Sequence, residues 1–272
     1  MLTKITVVVD NIKSEFGEGE WGLCLFVEYG DKKILVDAGS SSLFLENLKN
    51  LGKDVKDIDF GVLSHAHYDH ANGIPAFFEN NETASFYIRE TTSNDLYHKK
   101  FIFNKYIGIP KRMLRDYADR IVVCSGDYKI TDGVYLIPHK TPGLNEIGKR
   151  ESMYRRTKKG LVPDDFSHEQ SLVLDTDKGL VIINSCSHGG AANIINEIKE
   201  TFPDKHIHAI IGGFHLFNKS EEEIREVAAR IKETGIDYVC TGHCTKSRAF
   251  GILKEELGDK IDMMKVGFEM EF

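Results

Sequence analysis

Apolar residues fall at every second position at Ile5, Val7 and Val9, a period of two that predicts a half-buried β-strand. Leu23 to Val27 and Ile34 to Val36 predict the next two strands, with Gly30-Asp31 as the turn between them. The period then lengthens. Leu43, Leu45, Leu48 and Leu51 share one helical face, and Gly52 closes that helix. Phe60-Gly61-Val62-Leu63 reads as a buried strand that runs directly into a histidine-rich segment.

The same logic returns in the second half. Leu180 to Ile183 is apolar, and Ile194, Ile195, Ile198 and Phe202 then fall on one helical face. Ile207 to Ile211 predicts another strand. Ser220-Glu221-Glu222-Glu223 has the spacing of a capping box and opens a helix with Ile224, Val227, Ala228 and Ile231 on its apolar side. Tyr238-Val239-Cys240 is strand-like, and Ala249, Phe250, Leu253 and Leu257 form a further helical stripe. Met264, Val266, Phe268, Met270 and Phe272 alternate and predict one final strand. The segment from Thr141 to His168 carries Pro142, Gly143, Gly148, Gly160 and Pro163 with little periodicity, and is expected to be a long functional loop. No linker or low-complexity tract divides residues 1–272, so one domain is expected.

Composition narrows the function classes only a little. Of 272 residues, 41% are hydrophobic and 28% charged, which is globular rather than disordered. A net charge of −7 argues against nucleic acid as the main partner. No apolar run is long enough to span a bilayer and no signal peptide is visible, so no membrane partner is expected. The five scattered cysteines make no disulfide framework, and a cytoplasmic location fits them best.

The chemistry lies in Ser64-His65-Ala66-His67-Tyr68-Asp69-His70. Two histidines two apart on a non-helical turn can reach one metal, and the following Asp69 and His70 can serve a second. Imidazole and carboxylate suit zinc, and suit iron or manganese as well. Three further apolar strands end in small residues and a histidine: Ser185-Cys186-Ser187-His188, Gly212-Gly213-Phe214-His215 and Gly242-His243. Ligands gather at the carboxyl ends of strands in α/β folds, so these ends converging would form one rim of imidazoles. His98, His168, His206 and His208 lack that setting and are expected to be ordinary surface or partly buried residues.

The arrangement resembles the metallo-β-lactamase superfamily over almost the whole chain, including Asp37-Ala38-Gly39 at an Asp-x-Gly turn. The resemblance implies an α/β fold, an αββα sandwich with the metals at one edge between two sheets. It implies His65 and His67 on a first metal, and Asp69, His70 and His243 on a second. For the third ligand of the first metal His188 is preferred, with Cys186 and His139 as rivals. His215 is placed in the site as a substrate contact or proton donor, and Asp69 and His215 are the catalytic candidates. The motifs Leu63 to His70, Asn184 to Gly190, Ile211 to Leu216 and Thr241 to Thr245, with Glu169-Gln170, are similar to the group of the 7,8-dihydropterin-6-ylmethyl-4-(β-D-ribofuranosyl)aminobenzene 5′-phosphate synthase. Trp21 stands where that group often has histidine, and Asn184-Ser185 replaces a Thr-Gly.

Two chemistries follow from the resemblance. One is hydrolysis of a small, anionic ester, phosphodiester or lactone by water activated between two divalent transition metals. The other is C–N bond formation, with the metals polarising a hydroxyl or pyrophosphate leaving group. A non-catalytic metal-binding or redox protein is a third class. Lys149, Arg150, Arg155, Arg156, Lys158 and Lys159 make the irregular segment a candidate anion-binding loop, or simply a solvated basic one.

Overall fold

The computed structural model describes residues 2–272. In chain order, the first part contains β1 (Thr3–Val9), β2 (Cys24–Tyr29), β3 (Lys32–Val36), α1 (Leu43–Asn50), β4 (Phe60–Val62), α2 (Tyr68–Ala71), α3 (Ile74–Asn80), β5 (Ser85–Arg89), β6 (Leu96–Lys100), β7 (Phe103–Tyr106), α4 (Met113–Asp116) and β8 (Ile121–Cys124). The second contains β9 (Tyr128–Thr131), β10 (Val134–Pro138), α5 (Leu144–Arg150), β11 (Met153–Thr157), β12 (Gly160–Pro163), β13 (Gln170–Thr176), β14 (Gly179–Ile183), α6 (Ala191–Thr201), β15 (Ile207–Gly212), α7 (Glu221–Thr234), β16 (Tyr238–Thr241), α8 (Lys246–Leu257), β17 (Ile261–Met263) and β18 (Glu269–Glu271).

Two seven-stranded sheets face each other, in the orders β18-β1-β2-β3-β4-β5-β8 and β17-β16-β15-β14-β13-β10-β9. Side-chain parity explains the layering. On β2, Leu25 and Val27 join the core between the sheets, while Cys24 and Phe26 pack outward on the core that contains Phe44, Leu48 and Phe77 of α1 and α3. On β14, Val181 and Ile183 point inward, while Leu180 and Ile182 pack beneath α6, α7 and α8 with Ile194, Ile195, Ile224, Ile231 and Leu253. Both faces of these strands are buried, which is why they read as apolar runs rather than alternating ones. The result is helix, sheet, sheet, helix, the α/β layering that the resemblance implies.

The predicted capping box is present: Ser220 Oγ accepts from the Glu223 N–H at 3.2 Å, and the Glu223 carboxylate accepts from the Ser220 N–H at 2.7 Å. Two sequence expectations need correction. The last alternating run is not one strand. The chain leaves the second sheet after β17, turns at Gly267 with φ +78°, and enters the first sheet as β18 beside β1. Met264 and Val266 are buried in the crossing, so a period of two arose without a continuous ladder. The segment from Thr141 to His168 is also not a structureless loop. It holds α5 and the β11–β12 hairpin, which pairs with β6 and β7 in a separate four-stranded sheet. These elements are too short for their periods to show above the glycines and prolines.

β3 and β4 run parallel in one sheet, and β14 to β17 run parallel in the other. Their carboxyl ends carry the histidine-bearing turns. No helix among the described residues is long and apolar enough to cross a membrane.

Candidate metal centre

His65 and His67 lie just beyond β4, before α2, which carries Asp69 and His70. His188 follows β14, His215 follows β15 and His243 follows β16. The turns are tight. Asp37, Ser187, His215 and His243 all have positive φ, between 48° and 59°. Left-handed backbone is costly for residues other than glycine, and its concentration at four strand ends marks them as positions where the chain is forced to aim a side chain.

His65, His67 and His188 form one group, with ring centroids 4.7, 5.0 and 5.1 Å apart and ligand atoms within 4.8 Å of one another. A second set lies beside it. The Asp69 carboxylate is 3.5 Å from His243 Nε2 and 3.9 Å from His70 Nε2, and the His70 and His243 rings are 4.9 Å apart. His65, at 4.1 Å from the His70 ring, joins the two sets.

The far nitrogens of four of these five rings, those of His65, His70, His188 and His243, are held. Ser64 Oγ bonds His65 Nδ1 at 2.9 Å, and Asp37 Oδ2 bonds His70 Nδ1 at 2.7 Å. Glu169 Oε2 bonds His188 Nδ1, and Asn11 Oδ1 lies 3.2 Å from His243 Nδ1. By contrast, Nε2 of His65, His67 and His188 is buried with no partner from the protein, and that of His243 has only the Asp69 carboxylate, 3.5 Å away. Buried nitrogens without partners are expensive, whereas oriented imidazoles with one nitrogen anchored and the other free are what a metal centre requires. The donor set therefore fits divalent transition metals, with His65, His67 and His188 able to hold one ion and Asp69, His70 and His243 another.

The electrostatics agree. Burial, reinforced by neighbouring imidazoles, holds His65 and His67 well below the usual histidine range, leaving neutral ligands. Burial pushes the Asp69 carboxyl upward, but His70 and the bond to His243 outweigh it and keep it ionised well below the usual range.

The rivals for the third ligand separate. Both nitrogens of His139 are occupied, by Glu169 at 2.7 Å and Glu197 at 3.2 Å, so it faces away from the centre. Cys186 does not. Named from the sequence as a rival to His188, it has its Sγ 3.3 Å from His70 Nε2 and 3.5 Å from Cys244 Sγ, and it lines the cavity beside the second set rather than the first. The Cys-x-His spacing that repeats His-x-His was the available signal. His215 lines the same cavity with neither ring nitrogen hydrogen-bonded, its Nε2 3.9 Å from the Glu151 carboxylate and its ring 4.7 Å from that of His188.

One other expectation fails, and a second residue gains a role the sequence did not show. His168 is not a surface residue; it is buried, accepts from the Ala66 N–H at 3.1 Å and pairs with Asp164 at 3.1 Å, bracing the turn between His65 and His67. His98 lines the cavity from β6. The cavity measures about 190 Å³, and its remaining wall includes Trp21, Tyr68, Lys105, Ile107, Met153 and Phe217. None of the six basic residues of the irregular segment lines it. Arg150 reaches only the neighbouring groove shared by His188 and His215, Arg155 pairs with Asp165 at 2.7 Å, and Lys158 and Lys159 sit exposed in the β11–β12 turn. The cavity's cation is Lys105.

A family model described as the metallo-beta-lactamase superfamily matches residues 22–243. The chain is 26% identical over 258 residues to a 7,8-dihydropterin-6-methyl-4-(beta-D-ribofuranosyl)-aminobenzene-5'-phosphate synthase of Methanocaldococcus jannaschii, covering 89% of this chain and 85% of that protein. A second protein of that organism, uncharacterized, is 28% identical over 254 residues, covering 92% and 94%. Among solved structures, one described as a metal-dependent hydrolase of the beta-lactamase superfamily is 28% identical, with a TM-score of 0.83 over 99% of both chains.

Proposed function

We propose, on the premise that this chain belongs to the metallo-beta-lactamase superfamily, that it is a metal-dependent hydrolase of a small anionic ester, phosphodiester or lactone. One observation carries the reading: the buried Nε2 atoms of His65, His67 and His188 have no protein partner and their ligand atoms converge within 4.8 Å, while Nδ1 of His65 and of His188 is anchored and His67, His188 and His243 line the cavity. His65, His67 and His188 would hold one divalent ion and Asp69, His70 and His243 the other, with Cys186 Sγ adjacent to the second set. Zinc is the leading candidate, with iron and manganese compatible with the same donors. Such a pair supplies Lewis acidity and a water nucleophile at neutral pH.

The protein's own residues supply the rest. Asp69, held as a carboxylate, orients the nucleophile as well as ligating. His215 stands at the cavity wall with neither ring nitrogen hydrogen-bonded and would hand a proton to the leaving group. Trp21, Phe217, Ile107 and Met153 form apolar walls that exclude water, and Lys105 on the rim favours an anion. The structural relative described as a metal-dependent hydrolase supports this reading.

A C–N bond-forming synthase is the second reading, favoured by the named relative at 26% identity. It would use the same ligands. The test is a panel of chromogenic phosphodiesters, thioesters and lactones with zinc- and manganese-loaded protein beside Asp69→Asn. Turnover by the parent and not by the variant supports hydrolysis. Silence across the panel with both ions bound moves the assignment to the synthase.

A further inference from the structure

The β6–β7 hairpin ends in Lys99-Lys100-Phe101-Ile102-Phe103-Asn104-Lys105. Phe101 and Ile102 are each 86% exposed and Phe103 is 72% exposed. Three consecutive large apolar side chains in water are an uncommon arrangement, and contiguous exposed apolar surface of this kind marks a contact site. The lysines around it are exposed, and none lies within ion-pair distance of a carboxylate among the described residues; Lys99 and Lys105 rest only over the Tyr154 and Tyr68 rings, at 5.8 and 5.5 Å. No acidic residue interrupts the segment.

We propose that this hairpin tip docks on an anionic lipid surface, with Phe101, Ile102 and Phe103 entering the headgroup–acyl boundary and Lys99, Lys100 and Lys105 meeting lipid headgroups. Two arguments favour a bilayer over a second copy of the chain. The tip offers on the order of 500 Å² of apolar side chain, below the roughly 800 Å² per partner of a standard protein interface. Two copies meeting tip to tip would also bring two sets of unpaired lysines together, whereas an anionic membrane complements them. Apolar side chains flanked by long basic ones suit the interface, where the lysine stems lie along the apolar region and the ammonium groups stay in water. The sequence reading looked only for a spanning segment, and a surface contact leaves no such signature. The same hairpin walls the metal cavity through His98 and Lys105, cross-strand neighbours in its register. Docking would therefore turn the cavity's rim toward the bilayer, whichever reaction the site performs.

The test is sedimentation of the metal-loaded chain with vesicles of phosphatidylcholine alone or mixed in equal parts with phosphatidylglycerol. The full chain is expected to pellet with the mixed vesicles and not with phosphatidylcholine alone. Phe101→Ser/Ile102→Ser/Phe103→Ser should abolish pelleting, and Lys99→Gln/Lys100→Gln should weaken it by roughly tenfold or more. Circular dichroism checks that the variants fold, and the single change Ile102→Asp replaces the triple variant if that one does not. Failure of the parent to bind mixed vesicles overturns the proposal, as does unchanged binding by the tip variants. Light scattering that shows a dimer in the parent and a monomer in the tip variant also overturns it, assigning the tip to a second copy.

Discussion

Glu169→Gln isolates what holds one ligand in place. The Glu169 side chain is fully buried and uses both oxygens. Oε1 accepts from His139 Nε2 at 2.7 Å and from the His188 backbone N–H at 3.2 Å, while Oε2 bonds His188 Nδ1. Glutamine keeps the shape but has one acceptor and one donor, so in either orientation its amide N–H faces a histidine donor. One charge-assisted bond is lost and a buried donor is left unsatisfied, a combined cost of about 3 kcal/mol. At about 2–4 °C per kcal/mol for a domain of this size, the metal-free protein should melt about 6–12 °C lower. His188 would no longer be fixed at Nδ1, and loss of such an anchor typically lowers metal affinity by about 10–100-fold. The assays are calorimetry on metal-free protein and a competition titration against a chromogenic chelator. Glu197→Gln is the control. Glu197 bonds His139 Nδ1 at 3.2 Å and the Lys140 and Thr141 amides at 3.1 and 2.6 Å but does not touch His188. It should lower the melting temperature and leave metal affinity intact. Equal metal affinity in Glu169→Gln and the parent would refute the reasoning, because His188 would then need no anchor.

Elemental analysis of the purified chain should return two transition-metal ions, and a chain that stays metal-free after refolding with zinc, iron or manganese would contradict the site. Replacing His188 with Ala should remove one ion. Cobalt-loaded protein should show thiolate-to-metal absorption that Cys186→Ser abolishes; an unchanged spectrum would return Cys186 to a packing role. His139 is raised to about 10, with burial opposing and Glu169 and Glu197 raising it. Because the folded value lies above the unfolded one, its stabilisation is full below about pH 6.5 and is lost as pH rises toward 10. The melting-temperature gap between parent and His139→Gln should therefore be widest near neutral or acidic pH and narrow progressively in alkaline buffer. Gly212→Ala should destabilise by about 2–4 kcal/mol, since a Cβ there would fall 1.9 Å from the Asn184 carbonyl oxygen at a φ of +142°; denaturant unfolding measures this, and a loss under about 1 kcal/mol would show that the turn adapts.

The legible parts of this chain were those with a long period or a dense motif. α1, α6, α7 and the runs of β14 and β15 were visible because each buries a continuous face. His65 to His70 was visible because its candidate ligands are local in sequence. Glu169 and Asp37 were noticed as motif members, but their roles as anchors depend on pairing with residues 19 and 33 positions away, which spacing does not encode. The burial of His168 and the cavity position of His98 escaped notice for a related reason. His168 sits in a turn rather than after an apolar strand, and His98 belongs to a strand whose partners, β7 and β11, come from two separate stretches of chain. The crossing between β17 and β18 shows the opposite failure, where regular alternation concealed a change of sheet.

The distribution of the candidate ligands along the chain also sets a timetable for biosynthesis. His65, His67, Asp69 and His70 emerge early, but the first triad lacks a member until residue 188 has been made, and the second set until residue 243. The sheet that carries the early motif is itself incomplete until later still, because β1 pairs with β18, Ile5 against Met270. Such distant pairings form slowly. If the centre holds metal as proposed, a nascent chain carries four of the candidate ligands before the residues that would complete their coordination are made, and loading would be a late event.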